Sequence, residues 1–276
     1  MNILKSSICA FILLITIQFS TSCGNKAGND KAVSDPAKAA LSKPVPGTPI
    51  KYDSSKRYIF LTWDDSPQPP GTVNCKQIFH SQGVKATFFV VGFNQVGPFK
   101  KRIIDSLRNA YPEFLIANHS FTHAFNDKYK NFYAMPDSAV SDFLKNQSEM
   151  NIAVKIIRLP GNNSWVGKGQ MQGPKSTMPV CKRLDSLGYK VIGWDIEWES
   201  VRGSIPKQSV DEMVKKVNDK FENGTNAQNA IVILAHDRMF ATKQYADSLT
   251  RFISVLKQDP RNVFETIDHY PLVQQK

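Results

Sequence analysis

Tyr58-Ile59-Phe60-Leu61-Thr62-Trp63-Asp64-Asp65-Ser66-Pro67 is an apolar run that ends in two adjacent carboxylates. The Ile- and Phe-rich run, closed by Ser-Pro, reads as a buried strand. The pattern recurs where Phe114-Leu115-Ile116-Ala117 leads into Asn118-His119-Ser120-Phe121-Thr122-His123. Ile156-Ile157-Arg158-Leu159-Pro160-Gly161, Gly193-Trp194-Asp195-Ile196-Glu197-Trp198 and Ile231-Val232-Ile233-Leu234-Ala235-His236-Asp237 repeat it. In each case ionisable residues follow the run, which is where parallel α/β enzymes carry their functional groups.

Outward from these runs, strand-like and helix-like segments alternate. Strands are expected at 58–62, 86–91, 114–118, 155–158, 189–194, 230–234 and 263–267. Amphipathic helices are expected at 72–82, 98–110, 137–150, 178–187, 209–222 and 244–257. Gly83 and Gly188 stand where helices should stop. This alternation predicts a parallel α/β fold. A (β/α) barrel is preferred to an open doubly wound sheet, because a ring lets at least five strand ends converge on one spot. No internal repeat is visible.

The first residues, Met1-Asn2-Ile3-Leu4-Lys5, precede an apolar run from Ile8 to Phe19 and the small residues Ser20-Thr21-Ser22 before Cys23. The run is short for a bilayer span but suits the core of a secretory signal. Residues 1–22 are therefore read as a lipoprotein-type signal peptide, with Cys23 the candidate lipid site; cleavage nearby without a lipid is the alternative. Residues 23–56, rich in Lys, Ala, Ser, Pro and Gly, are read as a flexible tether, and 57–276 as the catalytic domain. The expected location is the cell envelope, with membrane contact only through the lipid. The net charge is +11, but no dense basic block or aromatic-basic motif points to nucleic acid. A diffuse positive surface suits an anionic envelope polymer or a simple solvated shell. Cys75 and Cys181 fall on different expected helices and are read as free, partly buried thiols.

Asp65, His119 and His123 are the candidate metal ligands. One carboxylate and two imidazoles leave coordination positions for water and substrate, as catalytic zinc sites do. Such a metal would acidify its water and polarise a carbonyl. These ligand types suit Zn2+, with Co2+ or Ni2+ as alternatives. Because neighbouring strand side chains diverge, Asp64 is assigned as the base that takes the water proton. Arg158 is expected to hold Asp64 ionised and oriented, and Gly161 to offer its amide to an oxyanion. His236 is the candidate acid for a leaving amine, with Asp195 or Glu197 keeping it cationic. Trp198 and Leu234 are expected to wall a pocket for a small group such as an acetyl methyl, and Trp194 to sit in the core. His80 and His269, away from strand ends, are read as surface residues. Taken singly these features are ordinary: Asp-Asp caps turns, His-x-x-x-His is usually two surface histidines, and Arg158 alone would be a strand-end salt bridge. Their shared position after apolar strands is what selects the chemistry.

These residues resemble the polysaccharide deacetylase family, carbohydrate esterase family 4, with its chitooligosaccharide deacetylase homology domain, over about residues 57–270. The family's Thr-Phe-Asp-Asp is similar to Thr62-Trp63-Asp64-Asp65, its His-Ser/Thr-x-x-His to His119-Ser120-Phe121-Thr122-His123, and its Leu-x-His to Leu234-Ala235-His236. The resemblance implies a distorted (β/α) barrel, here with about seven parallel strands. It also implies a metal-dependent hydrolase that removes N-acetyl groups from an N-acetylated polysaccharide (peptidoglycan, chitin-like or poly-N-acetylglucosamine) and releases acetate, expected as a monomer. By resemblance Asp64 is the base, Asp65 a ligand and His236 the acid. Two motifs depart. Arg-x-Pro-aromatic-Gly is replaced by Arg158-Leu159-Pro160-Gly161-Asn162, and loop 161–178 with Trp165 is expected to rebuild the groove. Asp-x-x-Asp-Trp is replaced by Asp195-Ile196-Glu197-Trp198. Rival readings are an O-acetyl polysaccharide esterase and a non-catalytic envelope glycan-binding protein.

Overall fold

The computed structural model describes residues 45–274. The expected signal segment, Cys23 and the first part of the tether lie outside the described residues. No described helix is long and apolar enough to cross a membrane. The sheet is built around β1 (Arg57–Ser66), whose Ile59, Phe60, Leu61 and Trp63 are wholly buried. It lies parallel to β2 (Ala86–Val90) on one side and to a strand at Ala230–His236 on the other. Beyond β2 come β3 (Phe114–Asn118) and β4 (Ile156–Ile157), also parallel. The hairpin β5 (Trp165–Gly167) and β6 (Gln170–Gln172) follows in sequence, then β7 (Lys190–Val191) and β8 (Ile196–Glu197). A two-stranded ribbon, β9 (Ser200–Val201) and β10 (Ile205–Pro206), precedes β11 (Ala230–His236) and β12 (Asn262–Phe264).

The order across the sheet is β6-β5-β7-β4-β3-β2-β1-β11-β8, with β12 also on β1. All seven expected strands are present. They form a curled, mostly parallel half-barrel, the distorted relative of the ring anticipated from the sequence. Closure stops at β5, which runs antiparallel to β7 and so replaces a parallel unit at that edge. Helices α1 (Gly71–Gln82), α2 (Gly97–Arg108), α3 (Tyr129–Ala134), α4 (Pro136–Glu149), α5 (Met178–Ser186), α6 (Val210–Asn223) and α7 (Lys243–Leu256) connect the strands. Gly83 ends α1 at φ 62, a left-handed stop that glycine takes without a Cβ penalty. Ser209 and Glu212 form a capping box at the start of α6.

Aromatic residues from strands and helices meet in the main core, with Trp63 edge-on to Phe79 at 5.0 Å and Trp198 edge-on to Phe252 at 5.1 Å. Cys75 and Cys181 are buried and free. The end of the stretch read as tether is held to the domain. Gly47 N–H donates to Asp268 (2.8 Å), Ile50 N–H to the Gln274 side chain (2.6 Å) and the Tyr52 hydroxyl to the His269 carbonyl (2.5 Å). His269 is buried rather than superficial, because Glu265 accepts from its Nδ1 at 2.7 Å and offsets the cost of desolvating it.

Candidate active site

The carboxyl end of β1 decides the site. In a regular strand Asp64 and Asp65 would point to opposite faces. Here the β1–β2 register shifts between Trp63 and Ser66, and Asp65 takes φ 69. This irregularity works as a bulge, which re-aims side chains. Both carboxylates therefore face one cavity of about 550 Å³, which also receives His119, His123, Gly161, Leu234 and His236. The β1–β11 register puts His236 directly beside Asp64.

Asp65 Oδ1 lies 3.2 Å from His123 Nε2 and 3.6 Å from His119 Nε2. The three ligand atoms lie within 4.8 Å of one another. Oδ1 is buried and accepts no hydrogen bond. Each imidazole uses its other nitrogen elsewhere: His119 Nδ1 donates to the Arg158 carbonyl (2.9 Å) and His123 Nδ1 to Asp127 (2.5 Å). That leaves both Nε2 lone pairs aimed at the unpartnered carboxylate oxygen, a donor set that fits a divalent cation. Burial, with His123 beside it, pushes the His119 pKa down to about 3, so the ring is neutral and able to ligate. Burial opposes ionisation of Asp65, but its neighbours outweigh that cost, the cationic Arg238 guanidinium in direct contact among them, and hold the carboxyl below its ordinary value.

Asp64 is gripped from behind by Arg158. The wholly buried guanidinium donates to Asp64 Oδ1 (2.9 Å), Thr62 Oγ1 (2.8 Å), the Gly193 carbonyl (2.9 Å) and the Ile192 carbonyl (3.2 Å). Its Cζ also stands 4.2 Å from the centre of the Phe89 ring. Burial raises the Asp64 pKa above the usual carboxylate range, and Arg158 is the main force opposing that rise. A base of raised affinity for protons, in hydrogen-bond reach of the cavity, is suited to taking one from water.

His236 Nε2 faces Asp65 Oδ2 at 3.9 Å. Burial lowers its pKa, while Asp65 and Asp64 pull it back. Neither Asp195 nor Glu197 hydrogen-bonds it, contrary to the sequence expectation, and its buried Nδ1 has no partner. The cause is register: β8 pairs with β11 so that Glu197 is level with Leu234, short of His236. Asp195 is engaged by the backbone, accepting from the Val232 N–H (2.8 Å) and the Asn226 N–H (3.2 Å). Glu197 does line the cavity, as do Gly161 and Leu234.

The tryptophans exchange places relative to expectation. Trp198 is fully buried against Phe240 and Phe252, with its Nε1 donating to the Gln208 carbonyl (2.9 Å), so it forms core rather than pocket wall. Trp194 lines the cavity instead. Trp165 does not rebuild the groove; it is buried against Tyr270 at 5.5 Å. The aromatic surface comes from Trp194, Phe93 and Tyr129. Tyr129 lies so close over Gly161 that a Cβ there would meet its ring at 2.9 Å, and Gly161 itself has φ +65.

Seven cavity residues were missed by sequence reasoning, Gln68, Phe93 and Asn126 among them. Arg238 reaches Asp65 Oδ2 at 2.5 Å and also bonds the Gly203 carbonyl in the β9–β10 turn. Asn94 donates to the Asp65 carbonyl at 2.8 Å. Asp127 and Tyr129 complete the set. Arg238 directly follows His236-Asp237, and Asp127 stands four residues after His123, which were the available signals.

Comparison with known proteins follows the same lines. Residues 51–160 match the family model described as polysaccharide deacetylase. A chitooligosaccharide deacetylase of Rhizobium leguminosarum bv. trifolii is 28% identical over 150 residues, covering 52% of this chain and 59% of its own length. An uncharacterized 30.6 kDa protein of Geobacillus stearothermophilus is 23% identical over 211 residues, covering 75% of this chain and 68% of its own. The structure of a Streptococcus mutans CE4 esterase is similar at TM-score 0.58 and 25% identity, over 76% of this chain and 86% of that one.

Proposed function

The chain belongs to the polysaccharide deacetylase family, and on that premise we propose that it is an exported, metal-dependent hydrolase removing N-acetyl groups from an N-acetylated amino-sugar polysaccharide. The observation that carries this reading is the convergence of Asp65, His119 and His123 beside the Arg158-held Asp64 in one cavity. Asp65, His119 and His123 would hold a divalent ion, Zn2+ by ligand type. When bound, such an ion acidifies water and polarises the acetamide carbonyl.

The remaining work falls to the chain. Asp64 accepts a proton from the attacking water, whose oxygen bonds to the carbonyl carbon. Arg158 holds Asp64 in the one orientation that faces the cavity. The Gly161 amide is the backbone donor for the developing oxyanion. His236 delivers a proton to the nitrogen as the carbon–nitrogen bond breaks, giving acetate and a free amine. Leu234 and Trp194 supply the apolar wall beside the acetyl methyl.

One observation favours a second reading, O-acetyl esterase. An amine must be protonated to leave, whereas an alkoxide departs with less help, and no carboxylate hydrogen-bonds His236 to keep it cationic. Acetate release from N-acetylglucosamine oligomers and from O-acetylated xylan, each with zinc and with chelator, separates the two. Chelator-sensitive release from the N-acetyl substrate supports the first reading. Asp64→Asn is expected to keep zinc and lose turnover; loss of zinc on that change would overturn the division of labour.

A further inference from the structure

The segment after the second histidine is unusual. His123, Ala124, Phe125, Asn126 and Asp127 have φ 48, 54, 56, 56 and 64, a left-handed turn built without glycine. Non-glycine residues avoid this region because Cβ crowds the following carbonyl, and strain of this kind clusters at functional sites. The surroundings compensate for it. Ser120 Oγ accepts from the Ala124 N–H (3.1 Å), Thr122 Oγ1 from the Phe125 N–H (2.9 Å) and the Thr122 carbonyl from the Asn126 N–H (2.9 Å). Asp142 accepts from the Phe121 and Thr122 N–H groups, and the Phe125 ring packs edge-on against Phe132.

The result of the turn is a contact at the cavity. Asp127 Oδ1 accepts from His123 Nδ1 at 2.5 Å and from the Tyr129 hydroxyl at 2.9 Å. The Asp127 side chain is 68% exposed, so on an ordinary surface it would sample many rotamers. Here the turn and the tyrosine fix it on the ring, and Tyr129 is itself wedged over Gly161. We propose that Asp127 is a positioning residue for His123, held by Tyr129 and the left-handed turn, and that it keeps the His123 proton on Nδ1 so that Nε2 presents its lone pair to the cation. A carboxylate behind a ligating histidine fixes tautomer and ring direction and increases ligand basicity. The proposal rests on the metal-site reading above, and its test separates the two.

The test uses wild type, Asp127→Ala, Asp127→Asn and Tyr129→Phe in the full domain, with thermal melts to establish folding. Zinc affinity is measured by competition with a chromogenic chelator. The His123 tautomer is measured by nitrogen-15 NMR on metal-free protein. Asp127→Ala is expected to weaken zinc binding about 10–100-fold and to abolish the Nδ1–H bias of His123. Asp127→Asn, which keeps the acceptor oxygen, should restore most of both, and Tyr129→Phe should fall between. Wild-type affinity together with a wild-type tautomer in Asp127→Ala would overturn the proposal. If the wild type itself takes no zinc, the metal reading fails, and the tautomer measurement still decides what Asp127 does.

Discussion

Replacing Arg158 by Met tests the centre of the argument. Methionine keeps a buried apolar stem and deletes only the guanidinium. Arg158 is wholly buried, and its donors reach Asp64, Thr62, Ile192 and Gly193. Its loss leaves a buried carboxylate and two buried carbonyls without a partner. Breaking one half of a buried ion pair costs about 3–5 kcal/mol. Coulomb's law gives the same order, about 4 kcal/mol for unit charges about 4 Å apart at an effective dielectric of about 20. A domain with about 5–15 kcal/mol of stability is expected to survive this, though with a lowered melting temperature. Burial already raises the Asp64 pKa, and Arg158 is the chief opposing influence. Without it the pKa rises further, less of the base is ionised at a given pH, and the acid limb of kcat/KM moves to higher pH. Urea unfolding and the pH profile of acetate release would be recorded for wild type, Arg158→Met and Arg158→Lys. Lysine restores charge but not the four-fold bonding and should lie between. An unmoved acid limb with a stability loss below about 1 kcal/mol, the range of an unremarkable substitution, would refute the reasoning.

Three other outcomes are expected. Trp198→Ala should cost about 3–5 kcal/mol as a large core deletion in urea unfolding, whereas Trp194→Ala should leave stability nearly unchanged and raise KM for the glycan. Gly71→Ala should lower the melting temperature, because a Cβ there would meet the Asp237 carbonyl oxygen at 2.1 Å; a crowding cost of about 1–3 kcal/mol is typical, and an unchanged melt would count against that close approach. The Glu265–His269 pair should make stability depend on pH at both ends. Burial opposes both charges, but their hydrogen bond lowers the Glu265 pKa and raises that of His269. The glutamate's contribution is present above its ordinary pKa and is lost as pH falls through the lowered one. The histidine's is present below its ordinary pKa of about 6.5 and is lost as pH rises through the raised one. His269→Gln should flatten the alkaline decline in melting temperature; an unaltered slope would rule the pair out as its source.

The long apolar runs were readable because burial on both faces selects Ile, Val, Phe and Leu without regard to neighbours. Strands β1, β2, β3, β4, β7, β11 and β12 and six of the helices follow from that, as do Asp64, Asp65, His119, His123, Arg158 and His236 at strand ends. Strands β5, β6, β8, β9 and β10 were not readable: β4, β7 and β12 are as short, but each sits inside a wider apolar stretch of sequence, whereas these five are defined by what they pair with rather than by a pattern. The same limit explains the exchange of Trp194 and Trp198, and the failure of Asp195 and Glu197 to reach His236, for both depend on the β8–β11 register.

What the sequence by itself determined was therefore the parallel α/β class and the chemical groups delivered to one end of the sheet. Only the tertiary structure decided where those groups point. A positive φ at Asp65 turns two divergent carboxylates into one cavity, and a left-handed turn returns Asp127 to His123. Composition and periodicity report how deeply a residue is buried. Side-chain direction at a strand end depends on local backbone angles and on register with distant strands, and both are set by packing that no single segment encodes.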